Sequence, residues 1–405
     1  MLLTLAAGGA YINYRFLKLP ATIGLMALAL MMSLGAIGLN KLGVIDLSGA
    51  SIFLAQINFP ALLLHGILAF LLFAGALHID LSEMKKQQTL ILILATVGVV
   101  ISTFVTGSLV WYALGLIGFT LPYIFALLFG ALISPTDPVA VLGILKSTKM
   151  SAVLRTKIAS ESLLNDGVGV VLFLVLLTIA DPNVPNLTAE QILLLFLWEG
   201  SGSIILGMTL GWLTHRLLRQ LDDYKVGVLL TLALVTGGYT LAEIIHVSAP
   251  ITIVAAGLVI GNHGQMFGVS DRTRRHLDMF WELLDEILNA VLFILIGLQI
   301  MVISLKISYL ALGLVAVVAT LIGRYVSVAL PVMLMNFKSK FERGTIRLLT
   351  WGGLRGGISI ALALSLPAGP EKDVLLTMTY VTVLFSVLLQ GTTFRYVAGS
   401  MIKKS

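Results

Sequence analysis

The sequence has no cysteine, and only 11% of its 405 residues are Asp, Glu, Lys or Arg. The first absence excludes disulfides, thiolate nucleophiles and Cys-ligated metals, and leaves the redox compartment undetermined. The six His residues show no HExxH-type spacing, so no metal-ligand signature is present. Scarce charge, with 58% apolar residues and a mean hydropathy of +1.02, excludes an ordinary soluble domain, where about a quarter of residues are charged. What remains is a membrane protein. In that setting the net charge of +6 is no nucleic-acid signal, because Lys and Arg concentrate in cytoplasmic loops.

Apolar runs separated by charged or Pro/Gly-bearing joints predict thirteen spans: 1–14, 20–38, 59–79, 90–115, 121–145, 157–180, 190–214, 226–245, 249–264, 279–302, 308–335, 347–367 and 373–393. The first run is followed, not preceded, by its charge at Arg15, so it reads as a short helix rather than a signal peptide. Alternate joints, with the C-terminal tail, carry 21 of the 26 basic residues, including Arg15, Lys18, Lys146, Lys149, Arg155, Lys338, Lys340, Arg343, Lys403 and Lys404. The opposite joints hold only Lys41, Lys306 and Lys372. This bias predicts an inner-membrane protein with its N-terminus outside and its C-terminus cytoplasmic. No soluble domain is expected.

The two remaining basic residues, Arg324 and Arg355, fall within apolar spans, as do Asp137, Glu161 and Asp166. Charges at that depth cost several kcal/mol and are functional candidates by default. Glu282, Asp285 and Glu286 sit near the cytoplasmic start of the tenth span, where water reaches them. Glu199 and Glu243 lie towards outer helix ends, and His65, His78 and His246 read as ordinary structural groups.

Three constellations carry the chemistry. In Ser134-Pro135-Thr136-Asp137-Pro138 two prolines remove backbone N–H groups and disfavour helix in the residues before them, so the fifth span should open in mid-membrane. The freed carbonyls, Thr136 and Asp137 could bind ions or cap the half-helices. In Glu161-Ser162-Leu163-Leu164-Asn165-Asp166-Gly167, helical spacing puts Ser162 and Asp166 on one face, and Glu161 and Asn165 on the adjoining one. A hard monovalent cation needs oxygen ligands, which Asp166, Thr136, Ser162 and carbonyls supply. In Trp351-Gly352-Gly353-Leu354-Arg355-Gly356-Gly357, four glycines interrupt the twelfth span. Two interrupted helices in different halves point to an inverted-repeat transporter with a midplane site. There Arg355 suits half-helix C-terminal ends as a fixed charge, the plain alternative being an arginine that snorkels to the interface. Arg324 needs a carboxylate partner, and Glu161, the acid least able to share a cavity with Asp166, is the proposed one.

These motifs closely resemble the sodium/proton exchanger branch of the monovalent cation:proton antiporters, over essentially the whole chain. Leu19-Pro20-Ala21-Thr22-Ile23-Gly24 and the run from Phe280 to Leu298 also look like that family. The resemblance implies an all-α fold of thirteen transmembrane helices, with a core domain (helices about 90–180 and 308–393) and a dimerisation domain (helices from 1–60 and 190–264). It implies a homodimer and an elevator-like alternating-access cycle. The family's ion-site pair falls on Asp166 and Asn165, its unwound Thr-Asp on Thr136 and Asp137, its serine ligand on Ser162, and its structural ion pair on Glu161 and Arg324. There are departures. Phe73-Ala74-Gly75-Ala76-Leu77 lacks the glutamate that many relatives place in the third helix, and the chain is expected to lack the cytoplasmic tail of larger relatives.

The expected function is exchange of Na⁺ or Li⁺ for H⁺, with Asp166 holding either a proton or a cation. Asn165 beside a single titrating acid suggests one proton per cation, an electroneutral cycle. A K⁺/H⁺ antiporter and a cation channel are the alternatives. No enzyme activity, cofactor or nucleic-acid partner is expected, since the spans carry no nucleophile–base pair or metal-ligand set.

Overall fold

A computed structural model describes residues 1–405 except 48, 50–53, 55, 140, 143–151, 182–187, 222, 267–270, 302–306, 336–343 and 403–405. Of the basic joint residues named above, Lys146, Lys149, Lys306, Lys338, Lys340, Arg343, Lys403 and Lys404 lie outside the described residues. The described residues form helices and no strands. In chain order these are α1 (Leu2–Ile12), α2 (Ala21–Lys41), α3 (Phe59–Leu77), α4 (Gln88–Leu116), α5 (Tyr123–Ile133), α6 (Ala152–Ala180), α7 (Ala189–Leu218) and α8 (Tyr224–Ile244). They continue with α9 (Ala249–Met266), α10 (Asp271–Leu298), α11 (Ile307–Met335), α12 (Thr345–Trp351), α13 (Gly357–Ser365) and α14 (Pro370–Gly399). A short helix, Leu81–Lys86, joins α3 to α4.

Nine helices among the described residues are long and apolar enough to cross a membrane. The other predicted spans coincide with the shorter α1, α5, α9 and the pair α12–α13. At α10 the boundary differs, the helix starting at Asp271 rather than near 279. Its first turns are charged, so hydropathy does not mark them, although helical hydrogen bonding continues through them.

Local chemistry sets several helix ends. Thr188 and Gln191 form a reciprocal capping box at the start of α7, and Asp223 caps α8 through the Lys225 N–H. Pro370 opens α14, with Glu371 and Asp373 in the first turn facing the positive end of the helix dipole. After α1 a wide-turned stretch ends at Lys18, in left-handed conformation, and the Asn13 amide bonds both the N–H and the carbonyl of Leu19.

Packing relies on close backbone approach, as expected where lipid removes the usual hydrophobic drive between helices. α7 meets α9 through Gly207 and Gly211; a Cβ at Gly211 would stand 2.9 Å from the Ala256 carbonyl oxygen. α4 meets α5 likewise, where a Cβ at Gly107 would stand 2.8 Å from the Ala126 carbonyl oxygen. α2 packs on α10, and the Ser33 hydroxyl donates to the Gly297 carbonyl at 3.0 Å. One apolar cluster joins α2, α4, α5, α6, α10, α11, α13 and α14, and a second joins α3, α7, α8, α9 and α10. α10 contributes to both, so it borders the interrupted helices on one side and α7–α9 on the other.

Gly211→Leu should separate α7 from α9 and destabilise the protein by about 1–3 kcal/mol, the usual cost of overpacking. Thermal unfolding of the detergent-purified variant, followed by loss of monodispersity, checks this as a lowered Tm.

Candidate functional site

The site forms where two helices break. α5 ends at Ile133, residues 134–138 are non-helical, and helix resumes at Val139. α12 ends at Trp351, and residues 353–356 are non-helical before α13. Each break leaves carbonyls that a helix would have satisfied. Pro135 cannot serve the Ala131 carbonyl, which the Ser134 N–H takes instead at 3.2 Å. Pro138 cannot serve the Ser134 carbonyl. Arg355 does so: Nη1 donates to the Ser134 carbonyl at 2.5 Å and to the Pro135 carbonyl at 3.0 Å. The guanidinium thus stands at the negative C-terminal end of α5 and does not snorkel to a surface.

The two breaks also bond each other. The Asp137 N–H donates to the Leu354 carbonyl at 2.7 Å, and the Arg355 N–H donates to the Ser386 hydroxyl of α14 at 2.9 Å. Asp137 caps the resumed half-helix, its Oδ1 accepting from the Val139 N–H at 2.9 Å. Gly356 permits the crossing, since a Cβ there would stand 2.6 Å from Asp137 Oδ2.

α6 runs beside this crossing. Asn165 is held at both ends of its amide: Oδ1 accepts from the Thr136 N–H at 3.1 Å, and Nδ2 donates to Thr136 Oγ1 at 2.8 Å and to Glu161 Oε1 at 3.2 Å. Thr136 Oγ1 also shares a hydrogen bond with Ser162 Oγ at 2.9 Å. Glu161 and Arg324 form a two-pronged buried pair, Nη1 to Oε1 at 2.6 Å and Nη2 to Oε2 at 2.8 Å. Arg324 spends its remaining reach on the Leu349 carbonyl of α12, from Nε at 3.2 Å and Nη2 at 3.1 Å. Every charge of the pair is matched, which a buried pair requires.

Asp166 differs. It is 6% exposed, and its Oδ1 has no hydrogen-bond partner among the described residues. It lines a cavity of about 1070 Å³ together with Thr136, Asp137, Ser359, Asp285 and Asn289. The charges acting on it are Asp137 and Glu161, of like sign, and Arg355, of opposite sign. A buried carboxylate oxygen without a donor is one whose lost hydration a proton or a hard cation can replace. On the far side of Asp166, Gly167 packs against Ile251 of α9, where a Cβ would stand 2.7 Å from Cγ1.

The structure therefore brings Thr136, Asp137, Ser162, Asn165 and Asp166 together, with Glu161–Arg324 adjoining and Arg355 at the crossing. Asn165 is committed to holding Thr136 and Glu161, so its oxygen is not presented to the cavity as a free ligand. The sequence reading passed over the α10 side. Glu282, Asp285, Glu286 and Asn289 all line the cavity, and their spacing of three, four and seven residues is the signal that marks one helical face.

The profile of the family described as "Sodium/hydrogen exchanger, transmembrane" matches residues 2–398. The chain belongs to that family. The exchanger is 47% identical over 407 residues to the Na(+)/H(+) antiporter NhaP of Pseudomonas aeruginosa, covering 98% of this chain and 95% of that protein. It is 34% identical over 388 residues to the Na(+)/H(+) antiporter NhaH of Halobacillus dabanensis, covering 94% and 92%. Its fold matches the structure of the sodium proton antiporter MjNhaP1 from Methanocaldococcus jannaschii at pH 8, with a TM-score of 0.78 at 21% identity, over 99% of this chain and 97% of that one. The exchanger is accordingly a multi-pass membrane transporter.

Arg324→Ala should strand Glu161 without its partner and cost about 3–5 kcal/mol, whereas the paired change Glu161→Gln with Arg324→Gln should recover part of that loss. Comparison of Tm for the two purified variants with the unaltered protein checks the ordering.

Proposed function

We propose that the exchanger moves Na⁺ (or Li⁺) against H⁺ by alternating access, with Asp166 as the shared site. The observation that carries this is Asp166 at the wall of a cavity beside two crossed, interrupted helices, its Oδ1 without a partner among the described residues. A proton and a cation compete for one carboxylate, so loading with either excludes the other. Transport then follows when the loaded site is exposed in turn to each face of the membrane. The names of the relatives support Na⁺ as the cation and disfavour the K⁺/H⁺ and channel readings. Thr136, Ser162 and Asp137 are the proposed oxygen donors around Asp166. Because Asn165 is an amide engaged with Thr136 and Glu161, one carboxylate titrates per cycle, which favours one proton per Na⁺.

The charge bias of the joints supports an N-terminus outside and a C-terminus inside the cell, in the inner membrane. Lys18, Arg155 and Arg395 line the cavity, so it opens to the cytoplasm in this reading. The core domain comprises helices about 90–180 and 308–393. A homodimer would use helices from 1–60 and 190–264, among which α7 exposes Leu194, Trp198, Ile205, Met208 and Trp212.

In liposomes carrying a pH gradient, added Na⁺ should dissipate the gradient with the unaltered protein, and Asp166→Asn should fall to the level of protein-free liposomes. Retained exchange in Asp166→Asn would remove the site assignment. Clamping the membrane potential at different values should leave the steady rate unchanged; a strong voltage response would contradict one-for-one exchange.

A further inference from the structure

The α10 wall of the cavity is polar on one side and apolar on the other. Glu282, Asp285, Glu286 and Asn289 occupy one face of the helix and line the cavity. One turn further, Leu292 and Ile296 of α10 pack against Gly357 at the start of α13, where a Cβ would stand 2.8 Å from Leu292 Cδ1 and 3.2 Å from Ile296 Cδ1. The oxygen-bearing ladder thus descends from the mouth and stops where the apolar seal begins. Asp285 is the deeper of its carboxylates. The Asn289 amide fixes it from one turn below, Nδ2 donating to the Asp285 carbonyl at 2.9 Å and to Oδ1 at 3.1 Å. No basic side chain lies within ion-pair distance of Asp285 among the described residues. The titratable groups whose charge reaches it are His78, Asp137 and Glu286.

An oriented carboxylate without an ion-pair partner, with only the more distant His78 as an opposite charge, is costly on the wall of a membrane cavity unless a cation visits it. The same cavity is bordered by Asp166, whose buried Oδ1 has no partner among the described residues, so a cation has a destination beyond Asp285. We propose that Asp285, oriented by Asn289, is a recruiting site for the transported monovalent cation, occupied on the way between the cavity mouth and Asp166. It rests on the exchange reading above. Its carboxylate raises the local cation concentration and acts through Asp166, without taking part in the proton exchange itself. Its loss therefore acts on apparent affinity and not on turnover, and only from the side to which the cavity opens.

The test is Na⁺-driven dissipation of a pH gradient in inside-out and right-side-out vesicles, and in proteoliposomes with the purified chain. Asp285→Asn should raise the KM for Na⁺ about 3- to 30-fold from the cavity side, the weight of one charge at several ångströms in a partly screened cavity. The maximal rate should hold, the KM from the other side should hold, and Asp285→Glu should restore affinity. Asn289→Ala should raise KM in the same direction by less. An unchanged KM, an equal rise from both sides, or a lost maximal rate in a protein of unaltered Tm would overturn the proposal. If Asp285→Asn fails to fold, Asn289→Ala carries the test with the same outcomes. Absence of Na⁺-driven dissipation in the unaltered protein would instead overturn the exchange reading, so the two failures are distinguishable.

Discussion

Backbone hydrogen bonding at the two helix breaks is the constraint on which the rest of the site depends. In the hydrocarbon layer an unpaired carbonyl or N–H costs several kcal/mol, so a broken helix survives only where other groups take over its bonds. Here each substitute is identifiable. The Arg355 side chain covers the Ser134 and Pro135 carbonyls, Asp137 caps the resumed half-helix, and the Asp137 N–H bonds Leu354 across the gap. The two breaks are thereby one unit. Prolines create the vacancy on one side, and the glycines on the other let the backbone come close enough to fill it.

This arrangement separates two kinds of buried charge. Glu161 and Arg324 neutralise each other with two short bonds, and Arg324 is further tied to the Leu349 carbonyl. That pair ties α6, α11 and α12 together. Asp166, five residues along α6, has the opposite treatment: its Oδ1 is left without a donor among the described residues, and the side chain borders the cavity. Asn165 stands between the two regimes, bridging Glu161 to Thr136.

Much of this was legible in the sequence, for specific reasons. Pro135 and Pro138 announce a break because proline chemistry is local, and Glu161, Asp166, Arg324 and Arg355 stand out because charge in an apolar run is rare. What was not legible is long-range geometry. No spacing rule brings Leu354 to Asp137 or the Arg355 side chain to Ser134, residues more than two hundred positions apart. Nor does composition say that Asn165 would be used as a brace. The α10 acids were passed over because a span's charged end reads as solvated. In the structure they line the same cavity as Asp166.

The central claim is that Asp166 holds either a proton or a cation, and its most direct measurement is proton release on Na⁺ binding. Purified protein in weakly buffered detergent solution, with a pH indicator, should release about one proton per Na⁺ bound, and Asp166→Asn should release none. Sodium binding without proton release, or equal release from Asp166→Asn, would contradict the account.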